Sequence, residues 1–489
     1  MIDFIIKCNL NNSNYGLDKI VKKENRVIKA GIGYTIGNIL IKGINFLTLP
    51  LFSRLLSTEE FGVYNVFASY EAILYVVVGL SIHTSIRSAN LEFKGQIKKY
   101  TSSVSLIYLL NALILFAIAG VFGNQLSKLL DFSKIEIVLL VLYSLGSSLL
   151  ALYNNLISLE YSYGKYLAAS LFNSVGNVLL SLVLILTIFR DRRDVGRIVG
   201  GTVTICLLAL ILLLSIYKQA KPKINKAYWR FAVKYSLPIV PHGISQVLLA
   251  QFDRIMIRSM VGNAEAGIYS LAGNIKLILT IITDSISTAW STWFYDQMAS
   301  DNVEQVKKYA KELSMFFVIL AVGLLALSPE LILVLGGKNY ESGKYVAIPM
   351  IMDAFVLFLY NIIVPAEYYK KKTTYIMFGT MAATVINLVT NYIFIAKFGY
   401  IAAAYTTLFS YICYLVLHIF ISHRVIGFYV LSIKDLLIHS GIVCGMAVLD
   451  LIFINHLLIR WGACALVVIP RMWYLLYKTG IYKKIVTRR

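Results

Sequence analysis

Charged side chains lie within several long apolar stretches of this sequence, and their spacing places them on shared helical faces. Lys42 lies between two asparagines at helical spacing, and Arg254 and Arg258 are four residues apart, with Asp253 on a neighbouring face. A charge at the centre of a membrane helix costs about 2.5–3.5 kcal/mol, so it normally faces a cavity or a partner. The cations suit an anionic ligand such as a phosphate, which arginine binds through two parallel hydrogen bonds.

Two sets of such residues are candidates for function. The substrate-binding candidates are cations concentrated in the first, seventh and eighth apolar stretches: Lys42, Arg54, Arg254, Arg258 and Lys276. The candidates for ion coupling or structural ion pairs are Glu71, Asp253, Asp284, Asp353 and Glu367. The structural alternative is that polar stripes bind helix to helix, with Lys276 paired to Asp253 or Asp284 and Arg254 paired to Glu71. Arg54 and Arg258 lie near span ends, from which they could also extend to the membrane interface.

No catalytic or metal-binding motif accompanies these charges. The sequence has no HExxH, no GxSxG and no Gly-rich phosphate-binding motif. Its six histidines show no metal-ligand spacing, and its five cysteines form no CxxC pair. We therefore expect no catalytic residue, no metal, no cofactor and no enzymatic activity, and we expect any work to come from an ion gradient or from substrate flux.

The composition indicates which elements position the charges. Apolar residues make up 58% and charged residues 15% of the 489 residues, and the mean hydropathy is +0.73. A soluble protein has about 45–50% apolar and about 25% charged residues. Apolar stretches of about twenty residues recur, which is the length that a helix needs to cross a ~30 Å bilayer core and is too long for barrel strands. We therefore predict an all-α polytopic membrane protein, whose net charge of +21 lies in short loops and does not indicate nucleic-acid binding.

About fourteen transmembrane helices are predicted. They cover residues 30–56, 63–86, 102–122, 135–159, 167–189, 195–217, 235–261, 266–293, 314–336, 345–368, 375–396, 400–422, 436–456 and 459–477. An even number places both termini on one side of the membrane. Lys and Arg are about three times as frequent on that side as in the other loops, so both termini are predicted to be cytoplasmic. The arginine cluster at residues 190–197 lies on the predicted outer side and opposes this assignment.

A short motif occurs twice in the chain. Residues 60–64 read Glu-Phe-Gly-Val-Tyr, and residues 265–269, 205 positions later, read Glu-Ala-Gly-Ile-Tyr. Each copy lies in the short turn between an odd- and an even-numbered span, and the following span carries a charge one third of the way along, Glu71 or Lys276. Short turns often use Gly and Tyr by chance. The alternative is duplication of a six- or seven-helix unit, which would form two lobes around a central cavity.

Three stretches resemble the polysaccharide flippases of the multidrug/oligosaccharidyl-lipid/polysaccharide exporter superfamily. The first hairpin of that family resembles residues 45–64, NFLTLPLFSRLLSTEEFGVY. The same family pattern continues in residues 236–242, SLPIVPH, and in residues 252–275, which contain FDRIMI, GIY and LAGN. The resemblance covers nearly the full length, and it implies two six-helix lobes with two appended helices and alternating access to a cationic central cavity.

The resemblance also implies a domain organisation and roles for single residues. The family's cavity arginines carry over onto Arg54 and Arg258, and its Asp-Arg pair onto Asp253 and Arg254. The implied units are a cytoplasmic N-terminal extension (1–29), an N-lobe (30–217), a cytoplasmic basic linker (218–234), a C-lobe (235–422), and two appended helices with a basic tail (423–489).

The function implied by the resemblance is transport of a lipid-linked sugar. The implied substrate is an oligosaccharide repeat unit on undecaprenyl pyrophosphate, flipped across the bacterial cytoplasmic membrane for O-antigen or capsule assembly. The implied partners are this substrate, the lipid bilayer, and a polysaccharide polymerase and glycosyltransferases. Two alternatives stay open. An ion-coupled multidrug exporter of the same superfamily should have an acidic cavity, and a polysaccharide polymerase or ligase normally needs a large external loop that is absent between these spans.

Overall fold

The architecture is all-helical across the described residues, which are 33, 37–38 and 40–478 of a computed structural model. The predicted N-terminal extension and residues 479–489 lie outside them. The long helices in the described part are α1 (40–55, with a turn at Thr48), α2 (Thr58–Gly79), α3 (Ile97–Val121), α4 (Lys134–Leu159), α5 (Tyr163–Thr187), α6 (Arg193–Gln219), α7 (Val240–Met260), α8 (Asn263–Ala299), α9 (Val303–Gly336), α10 (Lys344–Ile363), α11 (Thr373–Phe398), α12 (Tyr400–Ile426), α13 (Ile433–Ile452) and α14 (Leu457–Lys478). Shorter helical segments cover Ile82–Ser85, Ile86–Glu92, Gly123–Leu130, Lys226–Ser236, Leu237–Ile239, Lys338–Gly343 and Pro365–Tyr369.

The predicted fold class, an all-α polytopic membrane protein, is confirmed, and each predicted span overlaps one long helix. Within the described part, 12 helices are long and apolar enough to cross a membrane. Two other long helices, α1 and α7, are not among them. The chain of α1 is described only in part, and α7 is made polar by Gln251, Asp253, Arg254 and Arg258.

Two predicted boundaries are wrong, for different physical reasons. The second span was predicted to reach residue 86, but α2 ends at Gly79 because Leu80 and Ser81 take left-handed backbone angles (φ 46° and 52°). Residues 294–313 were predicted as a connection, yet α8 and α9 cover most of them. Charged residues there alternate with Val306 and Ala310, whose side chains are fully buried on one face of α9.

Local capping fixes where several helices begin. Ser57 and Glu60 form a capping box at the start of α2, and Ser133 and Glu136 form another at the start of α4. The Ser432 side chain accepts a hydrogen bond from the Asp435 backbone N–H at the start of α13. These polar caps satisfy backbone N–H groups that would otherwise lie unpaired at the ends of apolar helices.

The packing of the helices repeats between the two halves of the chain. In the first half, α2 packs against α4, α3 against α4, α4 against α6, and α5 against α6. In the second half, α8 packs against α10, α9 against α10, α10 against α12, and α11 against α12. The pairs match when six is added to each helix number, so the duplication indicated by the repeated motif extends to the packing of the helices.

The last two helices attach to the second half mainly through α9. Lys311 on α9 forms an ion pair with Asp435 on α13 at 2.7 Å. Arg460 on α14 is only 2% exposed, donates to the Ala326 carbonyl at 2.5 Å, and also pairs with Glu330. Removing Glu330 would leave the nearly fully buried Arg460 without its charge partner, a change that typically costs about 3–5 kcal/mol. The Lys311–Asp435 pair is more exposed, at 47% and 18%, and contributes less.

Candidate functional site

The two halves meet where α2 and α8 begin, and the repeated glycines make this contact possible. A Cβ atom on Gly62 would lie 1.8 Å from the Asn263 carbonyl oxygen, and one on Gly267 would lie 2.1 Å from the Thr58 carbonyl oxygen. Asn263 and Gly267 follow Thr58 and Gly62 by the same 205 positions. The contact is therefore related by a pseudo-twofold axis. We call these four residues the crossing, and the side of the bundle on which they lie the crossing end.

The tyrosine of each motif copy contacts a buried charge within its own half. In the first half, Arg197 on α6 lies over the rings of Phe52 (3.7 Å) and Tyr64 (4.9 Å). Its guanidinium also donates to the Asn177 side chain (2.8 Å) and to the Ser181 hydroxyl (3.0 Å), both on α5. These contacts hold a cation that is only 8% exposed.

In the second half, the buried charge has the opposite sign. Asp253 on α7 accepts hydrogen bonds from Tyr269 on α8 (2.6 Å), Asn391 on α11 (2.7 Å) and Thr407 on α12 (2.8 Å). These helices correspond to α1, α2, α5 and α6, which surround Arg197. The ion-coupling candidate Asp253 is therefore fully hydrogen-bonded, and it holds four helices of its half together.

Two arginines connect the halves at the crossing end. Arg54, at the end of α1, donates to the Val334 carbonyl on α9 at 3.0 Å, beside a hydrogen bond from Ser53 to the Leu335 carbonyl. Arg258, near the end of α7, donates to the Asp131 carbonyl and to its Oδ2 at 2.9 Å. Cations suit the last carbonyls of a helix, which carry the negative end of its dipole.

Arg54 and Arg258 differ in burial, so we expect their removal to loosen the contact between the halves at the crossing end to different extents. Arg54 is exposed, whereas the Arg258 side chain is 8% exposed and lies 4.3 Å above the Phe132 ring. In detergent-solubilised protein with its other cysteines replaced, we expect Arg258→Ala to speed thiol labelling of a Ser53→Cys reporter about tenfold or more. We expect Arg54→Ala to speed it about threefold or less, because an exposed contact contributes little.

The control for this prediction is Arg193→Ala. Arg193 lies at the same end, but its guanidinium donates to the carbonyls of Leu55 and Arg190 within the first half. It should leave the labelling rate unchanged. Equal acceleration by all three variants would show that the reporter senses general loosening and not separation of the halves.

The arginine cluster that opposed the predicted topology has a local explanation. Arg192 forms ion pairs with Asp194 (3.1 Å) and Glu136 (3.3 Å), and the hydrogen bond to Asp194 raises the pKa of Arg192 above its usual value. Arg193 donates from its backbone N–H to Glu60 at 2.9 Å. These arginines join the ends of α1, α2, α4 and α6, so they are used in packing at the crossing end.

Lys276 forms an interhelical ion pair inside the second half. Its ammonium lies 3.1 Å from Asp353 on α10, and the two side chains are 25% and 2% exposed. Lys276 follows Glu71 by 205 positions, and Glu71 lies beside Ser147 on α4. The equivalent helix pairs, α2–α4 and α8–α10, therefore each carry a polar contact. The residue on α2 is the acidic Glu71, whereas the residue on α8 is the basic Lys276.

Two further cations lie between α1, α7 and α8. Lys42 on α1 pairs with Asp284 on α8 at 2.7 Å, and both side chains are open to their surroundings, at 42% and 59% exposure. Arg254 on α7 donates to Gln251 at 2.5 Å and lies beside Gly273 of α8. No carboxylate among the described residues lies within ion-pair distance of Arg254.

The remaining acidic candidate, Glu367, lies elsewhere in the second half. Its carboxyl group forms a hydrogen bond with His418 Nδ1 at 2.7 Å, and both side chains are fully buried. Tyr360 and Tyr414 pack around His418. Glu367 lies just after α10, so the structure does not bring it together with the crossing or with Arg254.

The structure brings the predicted residues together in pairs. Lys276 lies with Asp353 and Lys42 with Asp284, whereas the suggested pairs of Lys276 with Asp253 and of Arg254 with Glu71 do not form. Three contacting residues were not among the predicted site residues. Arg197 contacts Tyr64, Asp131 contacts Arg258, and His418 contacts Glu367. No three His, Cys, Asp or Glu side chains of the described residues form a metal site.

The fold and these contacts define a polytopic helical membrane protein whose two repeat-related halves meet at a pseudo-twofold crossing. The family of this protein follows from its sequence. The chain belongs to the polysaccharide biosynthesis protein family, whose model matches residues 27–298, more than half of its length.

Individual proteins are also similar to this chain. An uncharacterized membrane protein of Haemophilus influenzae is 22% identical over 74% of this chain and 89% of its own length. The probable low-salt glycan biosynthesis flippase Agl15 of Haloferax volcanii is 23% identical over 80% of this chain and 82% of its own. The structure of the lipid II flippase MurJ in an inward closed conformation superposes with a TM-score of 0.74 at 16% identity. It covers 93% of this chain and 100% of its own, which shows the shared fold.

Proposed function

We propose that this protein flips oligosaccharide repeat units linked to undecaprenyl pyrophosphate from the inner to the outer leaflet of a bacterial cytoplasmic membrane. The observation that carries the proposal is Arg254, a half-buried guanidinium on α7 with no carboxylate within ion-pair distance among the described residues. An uncompensated cation at membrane depth is costly unless an anion binds there. Family membership and the names of the relatives support lipid-linked sugars as the source of that anion.

The substrate's pyrophosphate would bind to Arg254 and to the neighbouring cations of α1, α7 and α8. In this conformation Lys42 and Lys276 have carboxylate partners. Arg54 binds a carbonyl of the opposite half, and Arg258 binds both the carbonyl and the carboxylate of Asp131. Each of these cations can exchange its present partner for a phosphate oxygen. The glycan would occupy polar space between the halves, and the lipid tail would stay in the bilayer.

Alternating access would come from relative motion of the two halves. Under the predicted topology, the crossing end faces the outside and is closed here by the glycine contact and the two arginines. Opening this end requires that Arg54 and Arg258 leave their carbonyls, and a pyrophosphate can then replace those acceptors. Proton or sodium coupling would use Asp284, Asp353 or Glu367, which lie in or next to the helices that would move.

Charge distinguishes this proposal from one rival, and the leaflet on which substrate accumulates distinguishes it from the other. A multidrug exporter that takes cationic drugs should carry an excess of carboxylates between its halves. Among the described residues between α1, α7 and α8, the charge that has no ion-pair partner is the cation Arg254. A polysaccharide polymerase or ligase would act on units that had already reached the outer leaflet, so the leaflet on which substrate accumulates distinguishes it from a flippase.

The first test uses a strain that lacks the gene, complemented with wild-type protein or with Arg254→Ala. Loss of one charge-assisted hydrogen bond, about 1.5–3 kcal/mol, should lower repeat-unit flux about ten- to a hundredfold. The measurements are surface polysaccharide and the leaflet location of lipid-linked repeat units. We expect single units to accumulate on the inner leaflet in the deletion strain and in the Arg254→Ala strain.

The matched control is Arg424→Ala, which removes an exposed arginine near the end of α12 and should complement fully. Units that accumulate on the outer leaflet would contradict the proposal and indicate the polymerase. Normal polysaccharide with increased drug sensitivity would contradict it and indicate the exporter.

A further inference from the structure

The helix Lys226–Ser236 connects the two halves and is itself well anchored. The Asn225 side chain caps it by accepting from the backbone N–H groups of Ala227 (2.9 Å) and Tyr228 (3.2 Å). At its other end the chain continues through Leu237–Ile239 directly into α7. The helix therefore belongs to the first half by contact and to the second half by covalent continuity.

Side-chain contacts fix one face of this helix against the first half. Tyr228 donates to the Gln96 side chain at 2.7 Å, and Trp229 donates from its indole N–H to the Ser103 carbonyl on α3 at 3.0 Å. The Phe231 ring packs against Phe93 at 5.3 Å. Since three side chains of one face are held in place, the opposite face has a fixed orientation.

That opposite face is cationic. Lys226, Arg230 and Lys234 occur at every fourth position, which places them on one stripe, and all three are exposed. Two exposed apolar side chains, Val233 (36%) and Leu237 (54%), lie among them. Cations interleaved with apolar side chains are typical of helices that lie in the headgroup region of a membrane.

More cations surround the stripe at the same end of the bundle. The neighbouring segments contribute further exposed lysines and an arginine: Arg87, Lys94, Lys98, Lys99, Lys218, Lys221 and Lys223. Within residues 87–99 and 218–236 the sequence contains one acidic residue, Glu92. The surface therefore carries a strong positive charge that its own segments do not neutralise.

We propose that the stripe of Lys226, Arg230 and Lys234 is a binding surface for the phosphate headgroups of anionic phospholipids in the adjacent leaflet. Phospholipid fits because the helix joins α6 to α7, two helices of the membrane bundle, and therefore lies at the level of the headgroups. Its exposed apolar side chains would insert between those lipids. The bound lipid would hold the start of α7 against the first half, so the surface would influence how freely the halves move.

The test uses purified full-length protein in vesicles of phosphatidylcholine alone or mixed with phosphatidylglycerol. Spin-labelled lipids report the preference of the protein surface for phosphatidylglycerol. We expect the Lys226→Gln, Arg230→Gln, Lys234→Gln triple variant to lose most of a preference that is about tenfold at low salt and falls as salt is added. The Lys226→Arg, Arg230→Lys, Lys234→Arg variant should keep it.

The matched control removes three exposed cations elsewhere at the same end, Lys370→Gln, Lys371→Gln and Lys372→Gln. It should keep most of the lipid preference. Equal loss in both triple variants would overturn the proposal, because it would show a general charge effect of this end. Full displacement of the lipid by inorganic phosphate would also overturn it, because the site would then bind free phosphate. Lipid preference is measured without transport, so this proposal can fail while the flippase proposal stands.

Discussion

Gly62→Ala and Gly267→Ala are each expected to stop transport while the protein stays folded. The added Cβ would lie 1.8 Å from the Asn263 oxygen in the first variant and 2.1 Å from the Thr58 oxygen in the second. Both obstacles are backbone atoms, so no side-chain rotation can relieve the overlap. The helices themselves must separate, and the crossing end can then no longer close.

The loss should come from conformation and not from stability. In a helix, alanine is about 1 kcal/mol more favourable than glycine, so each helix should form at least as well as before. We expect repeat-unit flux to fall to the level of the deletion strain. We also expect Ser53→Cys to label rapidly in both variants, because the interlobe contact that buries it is lost.

The control for the glycine variants is Gly323→Ala in α9. A Cβ at this position would have no atom within 4 Å outside its own helix, so flux should be unchanged and stability slightly higher. Full complementation by Gly62→Ala would mean that the crossing does not need to close during transport.

Lys276→Met is expected to destabilise the protein strongly, and its rescue separates two roles of this lysine. The substitution leaves Asp353, which is 2% exposed, as an uncompensated charge between α8 and α10. Breaking a buried pair in this way typically costs about 3–5 kcal/mol. We expect a lower yield of folded protein and a lower thermal unfolding temperature in detergent.

The double variant Lys276→Met, Asp353→Asn removes both charges and should recover most of that stability. If Lys276 also binds the pyrophosphate, as proposed, the double variant will fold but flux will stay low. Recovery of flux together with stability would show that the pair has a structural role only. Lys307→Met, which breaks an exposed pair with Glu304, is the control and should cost about 0.5 kcal/mol or less.

The sequence was sufficient to predict the helices, because about twenty apolar residues in a row indicate a membrane span whatever the helix packs against. It also predicted the repeat, because both motif copies keep the glycine and the tyrosine. The structure gives a physical reason for each. The glycines allow the two halves to touch, and Tyr64 and Tyr269 contact the buried charges Arg197 and Asp253.

The pairing of the charges could not be predicted, because it depends on how each helix is rotated about its own axis. Lys42 and Asp284 are 242 positions apart, and Lys276 and Asp353 are 77 apart. The partners of the arginines that join the halves were harder still to predict. Arg54 binds the backbone carbonyl of Val334, and a carbonyl acceptor has no signature in the residue types.

The length of α8 gives the crossing a mechanical consequence. This helix has 37 residues, and at 1.5 Å per residue it is about 56 Å long. Its closest backbone contact with the first half lies near one end, at Gly267, so α8 can pivot together with its own half about that point. The far end, Ala299, lies about 48 Å from Gly267, so a tilt of about 10° there would carry it through about 8 Å, roughly the spacing of two packed helix axes. The close contact at two glycines near one end of α8 can therefore control a gap about as wide as a helix at its other end.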